Sequence, residues 1–387
     1  MPAYVAVHGG AGVHSRKHEK EIKKALRDAC TNALSAVRLT PTMTTGLAMV
    51  ETAICALEDD PCLNAGYGSN LTLNGTVECD AAIMSGSSKD FGSIGAVAGV
   101  KNPIRLASLV LEHSRRPDRL GRLPPLTLAS EGARAFAASH PDRVTLVTPE
   151  SLITPGAQGN WKKWKERLDA PSPAVGEVTR TNGIKHVQDT VGAVVCADDG
   201  LAAGVSRYGI LYFLVVGSYR ISSGGILLKY PGRVGEAAVY GAGCWAEQKS
   251  TKIGMACSVS GAGEHVVRAM LARRTSEALV AAAAEGADVD PHEILRHALV
   301  EDFWKPANER GEPDPWAGVL LLITEENEEG GVSARLWCAF TSPSMAIAYA
   351  SLECPKPKAL ILRRPEANSA TAASSKEPQV FITALSL

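Results

Sequence analysis

The chain has 387 residues, enough for two ordinary domains or one large layered one, and 45% of them are hydrophobic, so a substantial core is within reach. Its formal net charge of −1 excludes a global basic bias of the kind that binds nucleic acid or membrane surfaces. Nine cysteines without a CxxC pair or a paired framework read as buried thiols in a reducing, intracellular compartment, the nucleus or the cytoplasm.

Taken in chain order, "AYVAVHGGAG" predicts a buried strand ending in a glycine turn, and its start lacks the basic and apolar regions of a signal peptide. Residues 18–38 place Ile22, Ala25, Leu26, Ala29 and Leu34 at helical spacing. "TTGLAMVETAICALEDD" predicts a second helix, stopped by Pro61, and "NAGYGSNLTLNGTVECDAAIMSG" a turn-rich hairpin about Asn74-Gly75. "GSIGAVAGV" reads as a strand, and "IRLASLVLEHSRR" and "TLASEGARAFAASH" as helices. From 143 to 188 the periodicity dissolves into Pro, Gly, Ser and charge, which predicts an exposed, loosely ordered linker with "WKKWKER" as a solvated face.

Order resumes at Thr190. "TVGAVVCADDGLAAGVS" reads as strand, Asp-Asp-Gly turn, strand. "IGMACSVSGAGEH" reads as a strand with a glycine turn, "EHVVRAMLARRTSEALVAAAAEG" as one long helix and "HEILRHALVEDF" as another. "WAGVLLLITEE" and "VSARLWCAFTSPSMAIAYAS" read as strands completing a second sheet, and residues 355–387 as a loosely ordered tail. The expected fold is α+β: a four-layer αββα sandwich, two sheets between helices. The longest apolar run, Tyr208–Val216, is shorter than the roughly 18–20 residues of a membrane helix.

The abrupt change of order before Thr190 suggests a chemistry. Were the chain cut between Asp189 and Thr190, the threonine would carry its own base, since a free α-amine can take the proton of its own hydroxyl. An α-amine has a pKa of about 7.7–8.0, so a useful fraction is neutral near pH 7. No Gly-x-Ser-x-Gly elbow competes with it.

"HGGAG", "NAGYGSNLTLNGTVECDAAIM", "QDTVGAVV", "SSGG", "PGRVG" and "SGAGEHVVR" occur in the order seen in the plant-type asparaginase and isoaspartyl peptidase group of N-terminal-nucleophile hydrolases. "GSNL", "YGAGCWAE" and "SGAGEHVVR" resemble its threonine aspartase (taspase) branch, which cleaves proteins after aspartate. The resemblance covers 4–141 and 188–351. It implies halves 1–189 and 190–387 that stay associated after self-cleavage, as a dimer of such pairs. It implies no metal or cofactor, no nucleic-acid or membrane partner, and nuclear regulatory proteins as substrates.

By the same resemblance Thr190 is the nucleophile, and Ser223 is the second hydroxyl near its amine, with Ser222 and Ser206 as neighbouring alternatives. Ser260 and the N–H of Gly261 form the oxyanion hole. Arg233 grips a substrate carboxylate, and Glu236 and Gly263 belong to the substrate site. Asn64, Gly66, Gly9 and Gly10 support the nucleophile, and Asp189 precedes the cut. His8 reads as packing.

Two departures stand out. Three residues after Arg233 the asparaginases have an aspartate that binds a free amine, whereas threonine aspartase is uncharged there. This chain has Glu236, which keeps an L-asparaginase or β-aspartyl dipeptidase reading alive, unless the longer side chain points to solvent. The second departure is residues 207–222, which interrupt "LAAGVS" and "SGGILLKYPGRVG". They read as a retained or alternatively spliced segment, or as an added hairpin. In either case they threaten to displace Ser223 and Arg233 and leave an uncut, inactive chain.

Overall fold

The computed structural model describes residues 3–39, 45–170, 190–208, 228–248, 253–284, 289–312, 315–326, 332–365 and 377–387. Its first half runs β1 (Tyr4–Gly12), α1 (Glu19–Leu39), α2 (Gly46–Glu58), β2 (Cys79–Ser85), β3 (Phe91–Val97), α3 (Pro103–Ser114), β4 (Thr127–Ala129), α4 (Ser130–Ala138) and α5 (Pro155–Asp169). The second half opens with β5 (Thr190–Ala197) and β6 (Gly200–Tyr208), then β7 (Cys244–Gln248) and β8 (Ile253–Gly261). It continues with α6 (Gly263–Ala269), α7 (Leu271–Ala284), α8 (Pro291–His297), α9 (Lys305–Glu309), β9 (Ala317–Glu326), β10 (Val332–Phe340), β11 (Ser344–Ser351), β12 (Lys358–Arg363) and β13 (Phe381–Leu385).

The strands form two sheets, in the orders β12-β11-β1-β5-β6-β2-β3-β4 and β13-β10-β9-β8-β7. All pairings are antiparallel except β3 with β4. Helices α1, α2 and α3 cover the outer face of the first sheet, α7 and α8 that of the second, and β5 and β6 face β7 and β8 across the middle. This is the expected αββα sandwich. One apolar core lies between the sheets and under α7 and α8; the other lies between the first sheet and α1–α3.

Strand β5 is central and buried along its whole length. Because successive side chains alternate in direction, Val191, Ala193 and Val195 enter the helix-side core while Val194 faces the second sheet. Thr190 and Gly192 share the parity of Val194 and so face inward. The Asp-Asp-Gly turn after β5 has a further task, since Asp199 Oδ1 accepts the Gly46 N–H at 2.7 Å and caps α2.

Several expectations are corrected. The stretch 143–188, read as a loose linker, contains a turn at Pro149–Leu152 and the 15-residue helix α5. Thr154 caps that helix, and Trp161, Trp164 and Leu168 form a stripe against Leu73 and Leu228. Trp161 Nε1 donates to the Thr72 carbonyl at 2.7 Å. Surrounding polarity masks this narrow stripe in the sequence, while residues 171–188 lie outside the described set. The tail from 355 is likewise not uniformly loose, for it supplies an edge strand to each sheet, β12 and β13. β11 joins the first sheet beside β1 rather than the second. The single long helix over 264–286 is broken at Met270, which is left-handed (φ 49°). The segment 207–222 begins inside β6, because Arg207 and Tyr208 pair with β5 and β2. The rest of that segment lies outside the described residues.

Candidate active site

Thr190 opens β5, is buried, and sits directly across the ladder from Arg207 of β6. Its hydroxyl donates to Glu236 Oε1 at 2.9 Å. Arg207 Nη1 donates to Glu236 Oε2, and both partners of this ion pair are fully buried. Glu236 therefore does not point to solvent; it is aimed at the Thr190 hydroxyl. Removing either member of such a pair costs about 3–5 kcal/mol, because the other charge is left stranded.

Backbone anchors explain why the loop carrying Arg233 and Glu236 arrives here. Asp80 of β2 accepts the Gly235 N–H with Oδ2 at 2.9 Å and the Ala96 N–H with Oδ1 at 2.8 Å. Glu78 accepts the Gly232 N–H at 2.8 Å, and its carbonyl accepts Lys229 Nζ at 2.7 Å. "ECDA" thus positions the loop that carries Arg233 and Glu236.

Arg233 Nε donates to Glu264 Oε1 at 2.6 Å. Burial works against the Glu264 charge, but attraction to Arg233 outweighs it and holds the carboxyl below its ordinary range. Arg233 Nη1 and Nη2 are buried and have no hydrogen-bond acceptor among the described residues. An unpaired planar guanidinium edge of this kind suits a carboxylate. A Cβ placed on Gly263 would lie 2.5 Å from Glu236 Oε2, 2.7 Å from Arg207 Nη1 and 2.8 Å from Arg233 Nη2. Gly263 is thus the bare backbone floor of the charged cluster.

On the opposite sheet, Ser258 and Ser260 of β8 face the strands that hold Thr190. Ser258 Oγ lies 2.8 Å from His8 Nε2 and donates to the Gly204 carbonyl at 3.1 Å, and Ser260 Oγ accepts the Ala11 N–H at 3.0 Å. Gly261 has φ +154°, and a Cβ there would strike the Trp316 carbonyl and Ala317. Burial pushes the His8 pKa down to about 3, so this imidazole is neutral at ordinary pH, in keeping with a packing role.

The supporting residues lie behind this arrangement. Gly10 (φ +95°) occupies the bulge of β1 between His8 and Ala11, and Gly9 lets β1 close on Leu63. Asn64 Oδ1 accepts the Asn70 N–H at 3.0 Å, and left-handed Gly66 (φ +52°) abuts Glu58 at the end of α2. Asp189 and Ser223 lie outside the described residues, as does Ser222. Ser206 faces away from the cluster, toward the Glu58 carboxyl on the helix side.

Sequence reasoning missed Arg207 and Glu264. Arg207 belongs to a segment read as an interruption, so nothing in its neighbourhood marked it. Glu264 stands inside the quoted "SGAGEHVVR", but its partner becomes visible only when α6 meets the Arg233 loop. Among the described residues no His, Cys, Asp and Glu cluster has metal-holding geometry, and no helix is long and apolar enough to cross a membrane. All nine cysteines are free, seven of them buried.

The family model described as "Asparaginase" matches residues 1–217 and 218–288. This chain belongs to the asparaginase family of N-terminal-nucleophile hydrolases. It is 31% identical over 318 residues to the probable isoaspartyl peptidase/L-asparaginase 2 of Arabidopsis thaliana, covering 77% of this chain and 87% of that one. It is 35% identical over 276 residues to the human isoaspartyl peptidase/L-asparaginase, covering 71% and 76%. To the plant-type L-asparaginase of Pyrococcus horikoshii it is 32% identical over 280 residues, covering 70% and 78%. These relatives carry asparaginase names, so the expectation of the threonine aspartase branch is narrower than the family that these matches establish.

Proposed function

We propose that this asparaginase-family chain is a precursor that cuts itself between Asp189 and Thr190 and then hydrolyses the side-chain amide or isopeptide bond of an aspartyl unit, as in L-asparagine and β-aspartyl dipeptides. The observation that carries this reading is the Thr190 hydroxyl at the head of a buried strand, 2.9 Å from Glu236 and in one charged cluster with the unpaired guanidinium edge of Arg233. The names of its relatives support the small-substrate class.

In the proposed mechanism Arg233 holds the substrate α-carboxylate and Glu236 receives its α-ammonium. The Thr190 α-amine takes the hydroxyl proton as Oγ1 attacks the amide carbon, and Ser260 with the Gly261 N–H receives the oxyanion. The amine then protonates the leaving nitrogen, and water releases the acyl group. The two halves stay together because the first sheet interleaves them: β1–β4 come from 1–189 and β5, β6, β11 and β12 from 190–387. Two such pairs form the assembly we expect.

One observation favours a second reading, an endopeptidase of the threonine aspartase type acting after aspartate in nuclear regulatory proteins. Glu236 Oε2 is already engaged by Arg207, which leaves less negative charge for a free ammonium. Fragment sequencing and a substrate panel test both. A fragment beginning Thr-Val-Gly-Ala-Val-Val is expected. Ammonia release from L-asparagine or cleavage of β-aspartyl dipeptides supports the small-substrate reading, and scission after aspartate within a long peptide supports the endopeptidase. Arg233→Ala should lower kcat/KM by about 10–100-fold through lost carboxylate binding. A chain that stays whole and inert overturns both readings and supports an uncut, inactive form.

A further inference from the structure

A nucleophile that supplies its own base poses a difficulty. Until the Asp189–Thr190 bond is cut, the Thr190 nitrogen is an amide, and an amide nitrogen is not basic. Self-cleavage therefore needs a different proton acceptor from the one used afterwards.

Among the described residues, few groups near Thr190 can accept a proton. His8 hydrogen-bonds Ser258 through Nε2, and its ring also meets the backbone of Thr190 rather than its hydroxyl. Glu264 pairs with Arg233 through Oε1, and both Asp80 oxygens accept backbone N–H groups. Glu58 accepts the Ile104 N–H on the far side of the sheet. Glu236 alone among these carboxylates receives the Thr190 hydroxyl, at 2.9 Å. Its other oxygen faces the Arg207 guanidinium in a fully buried pair, which fixes the carboxylate in place beside Thr190. The extra methylene of glutamate relative to aspartate extends its reach toward Oγ1.

We propose that Glu236 is the general base of the self-cleavage step, taking the Thr190 hydroxyl proton while the Thr190 nitrogen is still an amide. This rests on the reading that the chain cuts itself before Thr190. Oγ1 bonds to the carbonyl carbon of Asp189 as its proton passes to Glu236. The Asp189–Thr190 C–N bond then breaks and the nitrogen takes that proton, which leaves an ester of Asp189 on Oγ1 and Glu236 ionised again. Water adds to the ester carbon and Oγ1 departs with a proton, giving a free carboxyl on Asp189 and a free amine and hydroxyl on Thr190. From then on the amine is the base, and Glu236 becomes part of the substrate site. Arg207 is a positioning residue for both stages.

The test follows the full-length chain after cell-free synthesis and measures the rate at which it becomes two fragments. Glu236→Gln should slow that rate by about 10²–10⁴-fold, the usual contribution of a positioned base. Because Glu236→Gln strands Arg207, the double variant Arg207→Met/Glu236→Gln, which leaves neither charge unpaired, is measured beside it and should cut as slowly. Glu236→Ala leaves a space beside Arg207, and added formate should restore cutting there with saturation, a response that a purely structural role would not give. Rapid cutting by Glu236→Gln, or a slow Glu236→Ala that ignores formate, overturns the assignment of Glu236 while leaving self-cleavage standing. A wild-type chain that never cuts overturns both.

Discussion

The two faces of β5 differ in what they ask of their residues. On the helix side, Val191, Ala193 and Val195 are packed among α2 and its neighbours, and any apolar side chain of suitable volume would serve. On the inner side, Thr190 meets a carboxylate, and Gly192 must be bare because Ser258 and His8 occupy the space of a Cβ. One strand thus separates stability from chemistry by the two-residue alternation of its side chains. The inner face is specified atom by atom, whereas the outer face is specified by volume.

Substitutions on each face sharpen or break this contrast. The largest effect is expected of Thr190→Ala, which should abolish self-cleavage and lower hydrolysis by about 10⁴-fold or more while the thermal midpoint stays close to that of the uncut chain. A substantial loss of stability would mean that the inner face also carries packing. Gly192→Ala adds one methyl group where the two sheets meet. It should lower stability by about 1–3 kcal/mol in denaturant titration and reduce activity by about a hundredfold, because the nucleophile strand must shift.

Val195→Ala lies on the other face, three positions further along from Gly192. It should cost about 2–3 kcal/mol in the same titration, with kcat per folded molecule unchanged. Lost activity without lost stability would break the separation of the two faces. The smallest effect concerns Glu58, the buried carboxyl on the helix side. Burial pushes its pKa up to about 8, against an ordinary value of about 4.3. The folded chain therefore keeps this proton over a range in which the unfolded chain has lost it. Its contribution to stability is complete below about pH 4.3 and is lost as pH rises toward 8. Glu58→Gln should flatten the fall of the thermal midpoint between pH 4.5 and 8, and an unchanged slope would remove Glu58 as its source.

The legibility of the site follows the same division. Thr190, Arg233, Gly261 and Gly263 are singled out in the sequence by motifs that resemble those of the family, and each stands where the backbone has a local need: a strand start, a tight loop, a glycine where a side chain would collide. Gly261 makes the reason visible, since its φ of +154° and the Trp316 carbonyl leave no room for a Cβ. Helix α5 was not readable in the same way. Its three-residue apolar stripe, Trp161, Trp164 and Leu168, acquires meaning only against Leu73 and Leu228, which are distant in sequence.

The sequence by itself was enough for the layer architecture, because periodicity, turn chemistry and strand burial are local properties that residues express wherever they stand, and its family-like motifs singled out Thr190 as the candidate nucleophile. Only the tertiary structure decided what surrounds Thr190. Thr190, Arg207, Glu236 and Glu264 come from β5, β6, a loop anchored on Asp80, and α6. A carboxylate's task depends on which charges share its few ångströms of buried space, and chain order does not record that proximity. Glu236 was therefore legible as a substrate anchor or a solvated side chain, and the fold placed it on the hydroxyl of Thr190.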